Sequence, residues 1–233
     1  MKLALFGHGA MGRLVEEQAR ADGHEIGLVI TSRDSAREAN DLADTLRGHD
    51  AAIDFSVSTA VMRNVEACAQ AGVPLVEGTT GWGEQLDEAR RTVESNAGAL
   101  VFGANFSVGV NVFYHVVARA AELFAAVEAY EPFIEEAHHS RKRDAPSGTA
   151  LKLKEILAAR LGGQNISVAS TRAGHIPGTH RVGFDSAADQ VTLTHTARSR
   201  AGFAAGALLA ARWIQGRRGV YEFSEVIDEI LRG

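Results

Sequence analysis

The sequence predicts an α/β protein, a doubly wound parallel sheet with an α+β segment inserted into it. Three observations carry this. From Lys2 to Phe102, short apolar runs alternate with segments of helical spacing, the order that gives parallel strands joined by covering helices. A glycine-rich turn follows the first apolar run. After Asn105 the pattern changes to a long helix, strands of period two and a helix of small residues.

The elements follow in order. Leu3–Phe6, Ile26–Ile30, Ala51–Phe55, Val73–Val76 and Ala99–Phe102 read as strands buried on both faces. Ala10–Ala21, Thr59–Ala71 and Glu84–Ala97 have helical spacing between them. The stretch Thr31–Gly48 is polar and short of apolar anchors, so no element is assigned to it. Beyond Asn105 come a helix from about Val108 to Phe124, a strand Glu128–Ala137, a loop, and a helix from about Ser147 to Leu161. Ile166–Thr196 shows strand patterns only. There Val191, Leu193 and His195 alternate with Thr192, Thr194 and Thr196, as in a sheet covered on one face. A last helix spans about Ala201–Gln215. The expected division is one domain over 1–107 and 199–233 and a second over 108–198.

Bulk properties exclude several classes. The 24 basic and 29 acidic residues leave a net charge of −5, which implies no general affinity for nucleic acid. A single cysteine, Cys68, excludes an intrachain disulfide, and its helical spacing with Val65 and Ala69 reads as packing. The N-terminal apolar run is too short for a signal-peptide core. The longest apolar stretch, Phe203–Ala211, is about half the roughly 20 residues a bilayer span needs. A soluble cytoplasmic protein without a membrane partner is expected.

Gly7-His8-Gly9-Ala10-Met11-Gly12 is a G-x-G-x-x-G between the first strand and first helix. Such glycines permit a tight turn, close approach to a pyrophosphate and close helix–strand packing. The alternative is a glycine-rich turn without a ligand; the position at the first strand–helix turn favours a dinucleotide. At the end of the second strand, where a ribose-binding acid is common, stand Thr31-Ser32-Arg33, with Asp34 only beyond them. Hydroxyls and a guanidinium suit a 2′-phosphate, hence NADPH before NADH, unless this is a solvated loop. Gly78-Thr79-Thr80-Gly81 and Ala104-Asn105-Phe106-Ser107 follow the fourth and fifth strands, at the carboxyl edge where such sheets bind ligands. Each alone could be a turn with a helix cap; together they suggest a nicotinamide pocket.

The densest chemistry is His138-His139-Ser140-Arg141-Lys142-Arg143-Asp144-Ala145-Pro146-Ser147-Gly148-Thr149. Ser147 reads as a helix N-cap, which leaves Gly148 and Thr149 with N–H groups able to meet a carboxylate. His and Lys can also deliver a proton. A basic surface loop with an ordinary cap is the plain alternative. No metal is expected, because adjacent histidines project differently and no HExxH or paired cysteines accompany them. A second cluster, Arg172 through His180, contains the turn Pro177-Gly178; spacing does not say whether its side chains face the first.

Taken together, these runs resemble the 4-hydroxy-tetrahydrodipicolinate reductase (dihydrodipicolinate reductase) family of bacterial lysine and diaminopimelate synthesis. The resemblance covers nearly the whole chain: Asp54-Phe55-Ser56, Glu77 through Gly81, Ala104 through Asn111, and Gly219-x-Tyr221. It is most specific in Glu136-Ala137-His138-His139 with Lys142 and the run Asp144–Ala150. Arg172-Ala-Gly and Pro177-Gly-x-His180 are also similar to the family. It implies a Rossmann-like domain for 1–107 and 199–233, a substrate domain for 108–198, and a homotetramer joined through substrate-domain sheets. It further implies hydride transfer from NADPH or NADH to C4 of a small cyclic dicarboxylate, with loss of water. His138 and Lys142 would be the acid–base pair, and His139, Gly148 and Thr149 would hold substrate carboxylate. Gly7, Gly9, Ala10, Met11, Gly12, Ser32, Arg33, Gly78, Thr79, Thr80, Ala104, Asn105 and Phe106 would serve the cofactor. Two departures stand out. The glycine loop lacks the arginine of the family's G-R-M-G ending, with Arg13 or Arg33 as substitutes, and the chain is short around Thr31–Gly48. The rival readings are another Rossmann-type amino-acid or imine dehydrogenase, and a dinucleotide-binding sensor without catalysis. The Asp144–Ala150 run opposes the first; the presence of both His138 and Lys142 opposes the second.

Overall fold

A computed structural model describes all residues, 1–233, and divides them into two compact units: Met1–Val108 with Arg200–Gly233, and Gly109–Ser199. Unit 1 contains strands β1 (Lys2–Phe6), β2 (Glu25–Ile30), β3 (Ala51–Asp54), β4 (Leu75–Glu77) and β5 (Ala99–Phe102). Between them lie helices α1 (Ala10–Ala21), α2 (Ala39–Leu46), α3 (Val61–Ala71) and α4 (Leu86–Ser95). Unit 2 contains α5 (Val108–Phe124, its first residue in unit 1), β6 (Glu131–His138), α6 (Gly148–Arg160), β7 (Ser167–Arg172), β8 (Thr179–Asp185) and β9 (Gln190–Thr196). The chain then returns to unit 1 with α7 (Ala201–Trp213), β10 (Gly219–Glu222) and α8 (Phe223–Arg232).

The first sheet has the order β10-β5-β4-β3-β1-β2 and every pairing in it is parallel. Both its faces are covered, so Leu3, Ala4, Leu5 and Phe6 are all buried without alternation. Ala4, Phe6, Ala52 and Leu100 join the core under α2, α3 and α4, while α7 packs against α1, β3 and β4. Strand order reverses at β1, which lies between β2 and β3. Ligands bind outside the carboxyl ends of strands at such a switch point.

Several boundaries differ from the sequence reading. The fourth strand is Leu75–Glu77, not Val73–Val76: Pro74 has no N–H to donate, and an acidic residue continues the strand in full burial. The helix expected over Glu84–Ala97 is a 3-10 turn (Gly83–Gln85) followed by α4, and Ala97 leaves it at φ +51°. The strand expected from Glu128 begins at Glu131, after a turn closed by Tyr130 N–H to Val127 O. Within Thr31–Gly48, α2 buries Ala39, Leu42, Ala43 and Leu46, a helical spacing masked by polar neighbours. The edge strand β10 and helix α8 were not expected, although Phe223, Val226 and Ile227 carry a legible apolar face.

The second sheet, β7-β6-β8-β9, pairs β6 with β7 in parallel and the rest antiparallel. Along β6, Pro132, Ile134, Glu136 and His138 are buried, Phe133, Glu135 and Ala137 half-buried and Glu131 exposed, the period of a sheet with one covered face. Ile134, Val182 and Phe184 there pack with Phe113, Val117 and Ala121 of α5 and Leu153 and Leu157 of α6. No helix is long and apolar enough to cross a membrane.

Candidate active site

In unit 1 the site is built on turns at the switch point. Gly7 has φ +86°, and a Cβ there would stand 2.5 Å from Phe55 O. A Cβ on Gly12 would meet Gly7 O at 2.1 Å, so strand, turn and helix close on one another only as glycine. Gly9 is different. Nothing lies within 4 Å of its would-be Cβ, and this open space faces the start of α1. The N–H groups of Ala10, Met11 and Gly12 precede the first bond of the helix, Arg13 N–H to Gly9 O at 3.1 Å. A cradle with donors at a helix N-terminus fits the pyrophosphate of a dinucleotide. Arg13 Nε donates to His8 O at 3.1 Å, which places its guanidinium at the same turn.

A cleft of about 700 Å³ opens here, lined by Gly7, Gly9, Ser32 and Arg33 together with Ser56 and Arg63. Arg33 is exposed and its guanidinium has no partner. Asp34 is turned back: its carboxylate accepts the Thr31 N–H at 2.9 Å, and the Thr31 hydroxyl accepts the Arg33 N–H at 3.3 Å. That backbone bond, against a smaller opposing effect of burial and with help from Arg37, holds Asp34 below the usual carboxylate range. Thr31 therefore caps a short 3-10 turn (Ser32–Asp34) and Ser32 and Arg33 remain open to the cleft.

The turns after β4 and β5 are tied to the core. A Cβ on Gly78 would lie 2.2 Å from the Phe55 ring. Thr79 N–H donates to Glu77 Oε1 at 2.7 Å, and its hydroxyl donates to Asp54 Oδ1 at 3.3 Å. Thr80 and Ala104 are exposed, and Asn105 Oδ1 accepts the Ser107 N–H at 2.9 Å. Phe106 is a packing residue, 1% exposed, edge-on to Phe55 and tilted against Phe223. None of 78–80 or 104–106 lines the cleft. Beneath it Asp54 and Glu77, register partners on β3 and β4, are fully buried. Burial pushes Asp54 up against the pull of bonds from Ser56 and Asn64. Burial and then the charge of Asp54 push Glu77 well above its ordinary range.

In unit 2, sheet geometry assembles a second cluster. Glu136 and His138 are two apart on β6, Arg172 is the register partner of His138 on β7, and His180 that of Glu136 on β8. All four thus share one face. Glu136, fully buried, accepts two bonds from Arg172 (2.6 and 3.0 Å), one from Ser147 N–H (3.3 Å), and pairs with His138 Nδ1. Burial opposes its ionisation, but bonds from Arg172, Ser170 and His138 outweigh this and hold the carboxyl at about 2. His138, 8% exposed, is lowered by burial and by Lys142 and Arg172, against the pull of Glu136. His180 is edge-on to His138 at 5.1 Å and shares a 3.0 Å bond with Ser147 Oγ. Burial, then the charge of His138, bring it down to about 4, so it is neutral near pH 7.

The remaining expected residues sit around this cluster. Lys142 Nζ pairs with Asp144 at 2.8 Å, and the Lys142 N–H is bonded to His139 O. His139 is half-buried with Nδ1 unpartnered. Ser147 caps α6 through Ala150 N–H, so Gly148 and Thr149 are its first two residues, and the Thr149 hydroxyl is a partner of Tyr114. The second cluster divides: Arg172 and His180 face the first, and Gly178 brings its backbone against the His138 ring, where a Cβ would lie 3.2 Å from Nε2. His175 is exposed. One ligand atom each of Glu136, His138 and His180 lie within 4.8 Å of one another, but this is a poor cation site. Arg172 and the Ser147 N–H already occupy the Glu136 oxygens, and Lys142 adds positive charge.

Comparisons with known proteins show the family. The family model described as dihydrodipicolinate reductase, N-terminus, matches residues 1–106, and that for the C-terminus matches 109–227. The chain belongs to the dihydrodipicolinate reductase family. Its activity is that of a 4-hydroxy-tetrahydrodipicolinate reductase, an oxidoreductase of lysine biosynthesis, and the family uses NAD(P)H. A 4-hydroxy-tetrahydrodipicolinate reductase of Christiangramia forsetii is 36% identical over 243 residues, covering all of both chains. That of an Anaeromyxobacter species is 40% identical over 81% of this chain and 76% of its own. In fold, the chain is similar to a dipicolinate-bound dihydrodipicolinate reductase from Paenisporosarcina (TM-score 0.81, 20% identity, 97% and 99% covered). The sequence reading gave Glu136 no place in the site and left open whether Arg172 faces it; the sheet brings both to His138. The signal available was Glu136 at i−2 from His138, an acid on the buried face of a strand.

Proposed function

We propose that unit 1 holds the dinucleotide, with NADPH preferred, and that unit 2 holds the dicarboxylate and delivers a proton from His138. The bound nicotinamide supplies the hydride; the remaining work falls to side chains of this chain. Hydride arriving at C4 of the conjugated ring leaves negative charge at C3, and a proton must reach that carbon. His138 keeps Nδ1 on Glu136 and has Nε2 to give, with Lys142 close enough to lower its pKa. His139, Gly148 and Thr149 hold a substrate carboxylate at the start of α6. The observation that supports this most is the junction itself: Ser147 N–H reaches Glu136, so a proton donor and a helix N-terminus adjoin. Open Ser32 and Arg33, with Asp34 turned away, favour a 2′-phosphate. Ala10, Met11 and Gly12 serve the pyrophosphate, and the turns Gly78–Thr80 and Ala104–Phe106 shape the nicotinamide end. The assembly is a homotetramer joined through the open face of the second sheet.

Steady-state kinetics on three variants test the roles. His138→Gln and Lys142→Ala should depress kcat by about 10²–10⁴-fold with NADPH affinity nearly unchanged, the range a positioned proton donor supplies. Thr149→Val should mainly raise KM for the dicarboxylate, because uniform binding leaves kcat alone. Near-normal kcat in His138→Gln with loss in Thr149→Val would reverse the assignment.

A further inference from the structure

A histidine that must give up a proton at each turnover needs a fixed tautomer and a suitable pKa. The tautomer is set, and the pKa is tuned, by what stands at its other ring nitrogen. At His138 Nδ1 stands Glu136, fully buried on the same strand face. A lone buried carboxylate would hold the imidazolium proton strongly, and the Coulomb attraction is large where water is excluded. Glu136 is not alone. Two Arg172 nitrogens lie at 2.6 and 3.0 Å from its two oxygens, a bidentate pair, and the Ser147 N–H adds a third donor. Arg172 is itself fixed from behind by Asp144 O at 2.6 Å.

We infer that Glu136 and Arg172 are positioning residues for His138: Glu136 fixes its Nδ1–H tautomer, and Arg172 offsets the carboxylate so that Nε2 can release its proton. The inference rests on the reading of His138 as proton donor. In the step, the His138 Nε2–H bond breaks as the C3–H bond forms. The imidazole is left neutral with its Nδ1–H still on Glu136, and solvent reprotonates Nε2 between turnovers. The other groups around His138 are accounted for. Lys142 is paired with Asp144. His180 on β8 is neutral and bonded to Ser147. Gly178 offers only backbone. Glu136 pulls the ring towards its charged form and Lys142 and Arg172 push it the other way; of these, only Arg172 acts through the carboxylate that holds Nδ1.

This opposition gives a test that loosened packing would not pass. His138 is followed by NMR of 15N-labelled imidazole in the whole protein, its signal assigned by its loss in His138→Gln. Wild-type neutral His138 should be the Nδ1–H tautomer. Glu136→Gln should lower its pKa and Arg172→Gln should raise it, each by about one unit or more, and Arg172→Lys should restore part of the wild-type value. The His138 limb of the kcat/KM–pH profile should move in the same two directions. Shifts of one sign in both variants, no shift in either, or an Nε2–H tautomer in the wild type would overturn the inference. If Glu136→Gln does not fold, the wild-type tautomer and the Arg172 variants still decide. Normal kcat in His138→Gln would instead remove the proton-donor reading while leaving the titration pattern intact.

Discussion

Arg33 and Asp34 show how adjacent residues can take opposite parts. Asp34 stands close to where a ribose-binding acid is common, yet one of its oxygens accepts the Thr31 N–H and the other lies 3.7 Å from Arg37. The Arg33 guanidinium has no hydrogen bond to the protein, and Arg33 lines the cleft. Removing it should cost about 1.5–3 kcal/mol, one charge-assisted bond. Arg33→Ala should thus reduce the NADPH-over-NADH ratio of kcat/KM by roughly tenfold to a hundredfold. A wild type that uses NADH as well as NADPH, or a variant with the wild-type ratio, would sink this. At this scale the sequence was legible where backbone geometry dictates the residue. Gly7 and Gly12 could be read because a Cβ there would strike Phe55 O and Gly7 O. The sequence did not show that the Phe106 ring packs in the core, since its surroundings come from α8 and α7, distant in sequence.

β4 presents the corresponding question for an element. Its last residue, Glu77, is fully buried beside Asp54, with Oε2 unpartnered. Two adjacent buried carboxyls cannot both ionise cheaply, so Glu77 keeps its proton well above its ordinary value of 4.5. A carboxyl with a raised folded pKa contributes stability that is complete below the unfolded value. That contribution is lost as pH rises through the folded one. From about pH 5 upward it should reduce unfolding free energy by up to about 1.4 kcal/mol per pH unit until Glu77 ionises. Glu77→Gln keeps an acceptor for the Thr79 N–H and removes the titration. Its Tm should overtake that of the wild type as pH rises from 5 to 9; parallel Tm curves would show Glu77 to be ionised throughout. Sequence patterning stopped this strand at Val76 because a carboxylate normally ends a buried run. α2 and α8 were passed over for a related reason: their apolar faces are narrow and polar neighbours dilute them.

For the whole molecule, the open face of the second sheet bears on assembly. Thr192, Thr194 and Thr196 of β9 are exposed, and much of β7 is exposed too. A sheet with one covered face and a row of exposed threonines on the other offers a surface to an identical sheet. Light scattering at micromolar concentration should therefore give four chain masses; a stable monomer would end the tetramer proposal. By itself, the sequence determined the parallel sheet, the inserted α+β segment and the segment that carries His138 and Lys142. Periodicity, glycine geometry and capping are local, and each can be read within a few residues of chain. Only the tertiary structure decided that Glu136, Arg172 and His180 meet at His138, because strand register brings together residues up to 44 positions apart. It also decided that Asp54 and Glu77 lie side by side: the pairing of β3 with β4 is a property of the sheet, and no local pattern encodes it.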